Sequence, residues 1–302
     1  MESFDKHALL ESTPTQAGSS VAERHALSSL TFPNDLPLIT QPAHPAISSI
    51  HRLRTRQVRD QTHLLYVEGI RAVVQAIKHR VPVEALVVCP KLLTHATAQK
   101  VVRQQRRIST PILEVTPEVM RLLDQIADSQ GIGAVVHQQW EPLAGVRPKD
   151  ELCWIALETV HSPGNLGTIL RTSDAVGGAG LLLLGENVDP YEPSCVRATM
   201  GSLFAQRFVR TSVAEFVRWK QRYRVQLVGT SPAGVAEYRA VRYRAPLVLL
   251  MGDERKGLPP DLQALCDHLV RIPMVGSPDS LNVAVATGVM LYEIFHQRRK
   301  QL

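Results

Sequence analysis

The chain has 302 residues, a formal net charge of +6, and 44% hydrophobic and 21% charged residues, which suits one or two soluble globular domains. It contains no run of about 18 uncharged apolar residues, and its start lacks a basic-then-apolar leader, so no membrane span and a cytoplasmic location are expected. Cys89, Cys153, Cys195 and Cys266 are widely spaced, with no CxxC and no clustered His partners, and read as reduced thiols in or beside the core, not as a disulfide framework or a metal site.

Residues 1–48 are rich in Ser, Thr, Pro, Ala and His without a sustained period and read as a disordered or loosely attached arm. Regular patterning begins near Ile50. A short basic helix is expected over Ser49–Asp60, then strands at His63–Val67, Val83–Val88, Ile112–Val115 and Ile132–Val136, alternating with helices Ile70–Arg80, Thr94–Arg107 and Pro117–Ile126. Such alternation is the pattern of a small α/β sandwich, assigned to residues 49–137. From Ser49 to Pro111 twelve basic residues face only Asp60, Glu68 and Glu84. So one-sided a segment points to a polyanionic partner, RNA or DNA. Residues 138–150, with Pro142, Gly145 and Pro148, read as a linker.

Residues 151–302 form the second domain. Strands Leu152–Leu157, Leu181–Leu184, Gln206–Val209, Val225–Val228 and Leu247–Met251 are continuously apolar and separated by helices, which argues for a parallel sheet covered on both faces. Ligands in such sheets bind beyond the C-terminal strand ends, so the informative loops are 158–167, 229–234, 252–258 and 273–280. In the first, Asn165 is expected to cap a helix beginning near Leu166 that carries Arg171. In the second informative cluster, Gly252 and Gly257 bracket a charged turn from which Glu254 projects. In the last, Ser280 and Asn282 suit the start of a helix running to about Arg299, and Ala284, Ala286 and Gly288 let another backbone approach it. No GxxxxGK[ST], no GxGxxG after a first strand and no HExxH is present, so neither a nucleotide fold nor a metal is expected.

Asn165-x-Gly167 with Ile169-x-Arg171–Thr172, then Gly252-x-Glu254-x-x-Gly257, then Ile272–Pro273–Met274 followed by Ser280–Leu281–Asn282–Val283, resemble in order and spacing the three motifs of the SpoU (TrmH-like) RNA 2′-O-methyltransferases. The segment around Tyr66–Val67–Glu68–Gly69 is similar to the L30e-like substrate-binding domain that often precedes them. The resemblance implies an α/β fold of the SPOUT class, a trefoil-knotted parallel-sheet methyltransferase domain preceded by a small L30e-like α/β domain. It also implies S-adenosylmethionine as cofactor and a homodimer with the site shared across the interface. Three departures stand out. Asp253 and Ala284 replace a small residue and a Ser, and His161–Ser162–Pro163–Gly164 replaces an Asp-Pro lead-in.

On this resemblance Thr230, Gly252, Ile272, Met274 and Leu281 would hold the cofactor. Asn165, Ser280 and Asn282 would position the ribose or its phosphate, and Glu254 would orient one of them. Arg171 is the family's proposed base. A guanidinium stays protonated above pH 12, so phosphate binding through its bidentate fork is the expected role instead. RNA contacts are expected from Arg52, Arg54, Arg56, Arg103 and Arg107. The separate N-terminal domain favours rRNA over tRNA as substrate. A non-catalytic RNA-binding or ribosome-assembly protein on the same fold is the alternative from another class, and it predicts erosion of a polar set that is intact here.

Overall fold

The computed structural model describes residues 30, 32–34, 36–125, 128–185, 187–277 and 279–299. Residues 1–29 of the expected arm, Pro278 of the last loop and residues 300–302 lie outside them. Described residues of the expected arm pack against the domain that follows. Phe32, Ile39 and Ile47 are buried, and Ile39 bridges in parallel to Val115. Three apolar side chains at those positions bury enough surface to fix the segment, which a Pro- and Ser-rich composition conceals.

Two short helices, α1 (Pro45–Arg52) and α2 (Arg56–Thr62), stand where one basic helix is expected. The break falls at Leu53–Thr55, where buried Leu53 turns into the core. β1 (Leu64–Glu68), α3 (Ile70–Lys78), β2 (Val83–Val88), α4 (Ala96–Arg107), β3 (Ile112–Glu114), α5 (Pro117–Leu123) and β4 (Ile132–His137) complete the N-terminal domain. Its sheet runs β1-β4-β2-β3, with β4 antiparallel to both neighbours and β2 parallel to β3.

The expected linker lies against the second domain. Glu141 N–H donates to Phe208 O at 2.8 Å, and the Trp140 ring meets Tyr191 and Phe208 edge-on at 5.3 and 6.0 Å. Beyond it come β5 (Trp154–Leu157), α6 (Pro163–Val176), β6 (Gly180–Leu183), α7 (Pro193–Ala198), β7 (Phe208–Arg210), α8 (Val213–Tyr223), β8 (Gln226–Thr230), β9 (Ala236–Glu237), β10 (Leu247–Met251), α9 (Pro260–Ala264), β11 (His268–Arg271) and α10 (Val283–Arg299). These seven strands form one sheet in the order β7-β6-β5-β10-β8-β11-β9, parallel at every pairing. The parallel α/β fold expected of the second domain is therefore present. The strands whose following loops carry the motifs, β5, β10 and β11, lie within four adjacent positions of that sheet, so the loops emerge side by side at one edge.

The two domains share a continuous apolar core containing Leu65, Val67 and Val73 from the first and Tyr191, Leu203 and Phe208 from the second. A buried ion pair crosses the same boundary, Arg59 Nη2 to Asp189 Oδ2 at 2.9 Å with both side chains 2% exposed. Arg59 belongs to the basic excess read from the sequence, yet its charge is spent inside the molecule. No described helix is long and apolar enough to cross a membrane.

Candidate active site

α6 begins three residues earlier than the sequence suggests. Ser162 is the N-cap, its Oγ accepting from Asn165 N–H at 3.4 Å, and Pro163 takes the first helical position, where its fixed φ and missing N–H cost nothing. Asn165 is therefore not the cap but the third residue of the helix, and its side chain is free to reach across to the neighbouring loops. Its amide nitrogen donates to Glu254 Oε1, and its Oδ1 accepts from Asn282 Nδ2 at 3.0 Å. Asn282 caps α10 with its own Oδ1, which accepts from Ala284 N–H at 2.9 Å and Val285 N–H at 3.3 Å. One chain of hydrogen bonds thus runs from the start of α10 through α6 to the loop after β10, joining all three motifs.

That loop is a tight turn. Asp253 and Gly257 exchange backbone hydrogen bonds at 3.1 and 3.0 Å, and Asp253 Oδ1 accepts from the N–H groups of Arg255 and Lys256, both at 2.8 Å. Those two backbone donors pull the Asp253 carboxyl down to about 2. A Cβ at Gly252 would sit 2.3 Å from the Gly257 carbonyl carbon, so only glycine lets the turn close. His161, on the loop leading into α6, meets the other oxygen, Nε2 to Asp253 Oδ2 at 2.8 Å.

A cavity of about 290 Å³ opens between these loops. Every residue expected at the cofactor lines it, namely Thr230, Gly252, Ile272, Met274 and Leu281, and so do Glu254 and Ser280. Sequence reading missed Met251, Asp279 and Val283, which line it too. Their adjacency to the motifs was the available signal. The lining combines the apolar side chains of Ile272, Met274 and Leu281 with charges of both signs, Asp279 and Glu254 beside Arg255 and Lys256.

Arg171 is not brought into this cavity by its own chain. It is exposed, and it lies six residues beyond Asn165, about 9 Å further along α6 and on another face. α10 packs on α6, with Gly288 close enough that an added Cβ would meet Thr172 Cγ2 at 3.8 Å. Of the arginines expected to meet RNA, Arg52, Arg103 and Arg107 are exposed, and Arg56 is exposed with its Nε 3.5 Å from Asp60. Arg54 differs: its Nη2 donates to the carbonyls of Leu122 and Leu123 at 2.8 and 3.0 Å, satisfying the end of α5. Among the described residues, no group of three or more His, Cys, Asp or Glu is arranged to hold a metal ion.

Residues 153–292 match the SpoU rRNA methylase family, and residues 44–134 match the MRM3-like substrate binding domain. The chain is 32% identical to a 23S rRNA (uridine(2479)-2′-O)-methyltransferase of Streptomyces viridochromogenes, over 82% of this chain and 87% of that one. It is 34% identical to a 23S rRNA (guanosine-2′-O-)-methyltransferase of Shewanella oneidensis, over 66% and 83%. The crystal structure of an AdoMet-bound rRNA methyltransferase from Sinorhizobium meliloti superimposes with a TM-score of 0.80 at 36% identity, covering 88% of this chain and 98% of that one. With its three motifs joined by one hydrogen-bond chain and relatives of this similarity spanning both domains, the chain belongs to the SpoU rRNA methylase family.

Proposed function

We propose that the protein transfers a methyl group from S-adenosylmethionine to a ribose 2′-hydroxyl of rRNA in the cytoplasm. The observation that carries this reading is the Asn282–Asn165–Glu254 hydrogen-bond chain, whose Glu254 lines the cavity shared with Thr230, Ile272, Met274 and Leu281. The cofactor, when bound, supplies an electrophilic methyl on a sulfonium. The chain's own residues have to hold the hydroxyl in line with it and let its proton leave. A carboxylate only accepts hydrogen bonds, so Glu254 fixes which way the Asn165 amide points. Asn165 keeps a second N–H and a second lone pair for the ribose or its phosphate, beside Ser280. Asn282, engaged on both ends of its amide, holds that arrangement rigid.

Arg171 serves as a phosphate clamp through its bidentate guanidinium fork, with the hydroxyl proton leaving through phosphate or water. Because it lies away from its own chain's cavity, it completes the site of a second copy in a homodimer. Val285 and Tyr292, 52% and 55% exposed on α10, supply apolar surface for that contact. The trefoil knot of the SPOUT class belongs to the same reading, supported by the insertion of the late strand β10 between β5 and β8. Substrate selection falls to the N-terminal domain and its exposed arginines, with rRNA favoured over tRNA by the names of the relatives and by the span of both domains.

The test is mass-spectrometric nucleoside mapping of 23S rRNA and tRNA incubated with the purified protein and methyl-labelled S-adenosylmethionine. A new 2′-O-methylated nucleotide in rRNA, lost in Asn165→Ala and Glu254→Ala, is the expected result. Tight RNA binding without transfer to any RNA would overturn the reading.

A further inference from the structure

The loop that carries Glu254 is tied to the start of α6 at two points, and only one of them is the Asn165–Glu254 contact. The second is the pair formed by His161 and Asp253, two of the residues at which the chain departs from the family's usual pattern. The geometry points to His161 as a positioning residue for methyl transfer, acting through Asp253 to seat the 253–257 turn so that Glu254 meets Asn165. The inference rests on the reading of Glu254 and Asn165 given above.

The two carboxylate oxygens of Asp253 have separate tasks. Oδ1 accepts from the backbone N–H groups of Arg255 and Lys256 and so shapes the turn from within. Oδ2 takes His161 Nε2 at 2.8 Å. Asp253 is ionised and can only accept, so Nε2 carries the proton in this contact. The turn also has its own backbone bonds between Asp253 and Gly257. Loss of His161 would therefore leave the turn folded but release it from the α6 lead-in, and the neighbouring residue, Glu254, would lose its fixed place. His161 itself is 60% exposed and Asp253 only 10%, so the imidazole is not packed into the core, and among the described residues Asp253 is the one polar partner of its ring. Its ring also forms part of the wall of a polar cleft between the two domains, which Arg56 and Arg210 line as well. The pair thus stands between the approach from the N-terminal domain and the cofactor cavity.

A misplacement of order 1 Å at a reacting centre costs up to about a hundredfold in rate, and a partly released loop less. In steady-state methyl transfer to 23S rRNA, His161→Ala should lower kcat on the order of tenfold while KM for S-adenosylmethionine stays within about twofold. His161→Gln, which places an amide N–H near the position of Nε2, should recover most of the loss. His161→Ala should leave the melting temperature unchanged, because the turn keeps its own backbone hydrogen bonds between Asp253 and Gly257. A merely structural role would instead lower the melting temperature together with kcat. Wild-type kcat in His161→Ala beside an inactive Glu254→Ala would overturn the inference and leave the site reading intact. Full activity in Glu254→Ala alone would overturn both.

Discussion

Arg59 and Asp189 pair at 2.9 Å across the boundary between the two domains, each 2% exposed. The guanidinium also donates to the carbonyls of Leu53 and Arg54 at 2.9 and 2.7 Å, so its charge is compensated on every side. Removing one member strands the other charge in the interior, which costs about 3–5 kcal/mol. Asp189→Asn should lower stability by that order in urea unfolding. Replacing both, as Arg59→Met with Asp189→Leu, should cost clearly less, because no lone charge stays buried. A double variant as unstable as Asp189→Asn would show that the pair contributes through geometry and not through charge.

Gly167 of the first motif has a packing reason that involves no ligand. A Cβ built there would lie 2.4 Å from Ala198 Cβ and 3.0 Å from the Ala198 carbonyl carbon, so α6 and α7 cross too closely for any side chain. Overpacking of this kind costs about 1–3 kcal/mol. Gly167→Ala should lower the melting temperature and weaken methyl transfer by shifting Asn165, two residues away. Ala198→Gly in the same chain should restore part of both, since it removes the nearest atom.

The motifs were legible because their residue types report local needs: a cap at Asn282, a closed turn at Gly252 and Gly257, a charged projection at Glu254. Their convergence was not legible. The sheet places β10 beside β5 and β8, an order that periodicity along the chain cannot express. The Ser162–Pro163 dipeptide was a readable helix start, but the Gly164 that follows made it look like loop. β9, two residues long, is too short to carry an alternating pattern. Arg59 shows the limit of charge counting, since a sequence does not tell which of several arginines turns inward. Departures at His161 and Asp253 were visible as departures, but their pairing required the fold.

Asp124 gives the N-terminal domain a pH dependence of known sign. Burial raises its carboxyl from 3.8 to about 6, against the hydrogen bonds donated by Ser129 and by Tyr66 Oη at 3.1 Å, with Glu68 nearby adding to the rise and Arg54 opposing it. Between these values the folded protein holds a proton that the unfolded chain has lost. Stability from this group is therefore greatest below the unfolded value and declines as pH rises to about 6, staying reduced above it. Asp124→Asn should flatten this part of the profile and raise stability at pH 7 by about 1–2 kcal/mol. Thermal melts from pH 4 to 8 measure it. An unchanged profile in the variant would assign the dependence to other groups.

The arginines of the N-terminal domain divide into two classes that a salt titration separates. Arg103 and Arg107 are exposed on α4, four residues apart on one face, as phosphate ligands would be. Removing one phosphate ligand should reduce the slope of log K against log salt by about 0.9 for duplex and about 0.7 for single strands. The double variant Arg103→Ala, Arg107→Ala should therefore weaken rRNA binding and flatten the slope by one or two such steps, with melting temperature unchanged. Arg54→Ala should do the opposite. Its guanidinium holds the Leu122 and Leu123 carbonyls at the end of α5, so its removal should cost about 1–3 kcal/mol of stability and leave the salt slope alone. Filter binding across a potassium chloride series, paired with thermal melts, reads both quantities. A slope unchanged in the double variant would remove α4 from the RNA-binding surface. A slope reduced in Arg54→Ala would show that this guanidinium leaves its carbonyls to meet a phosphate.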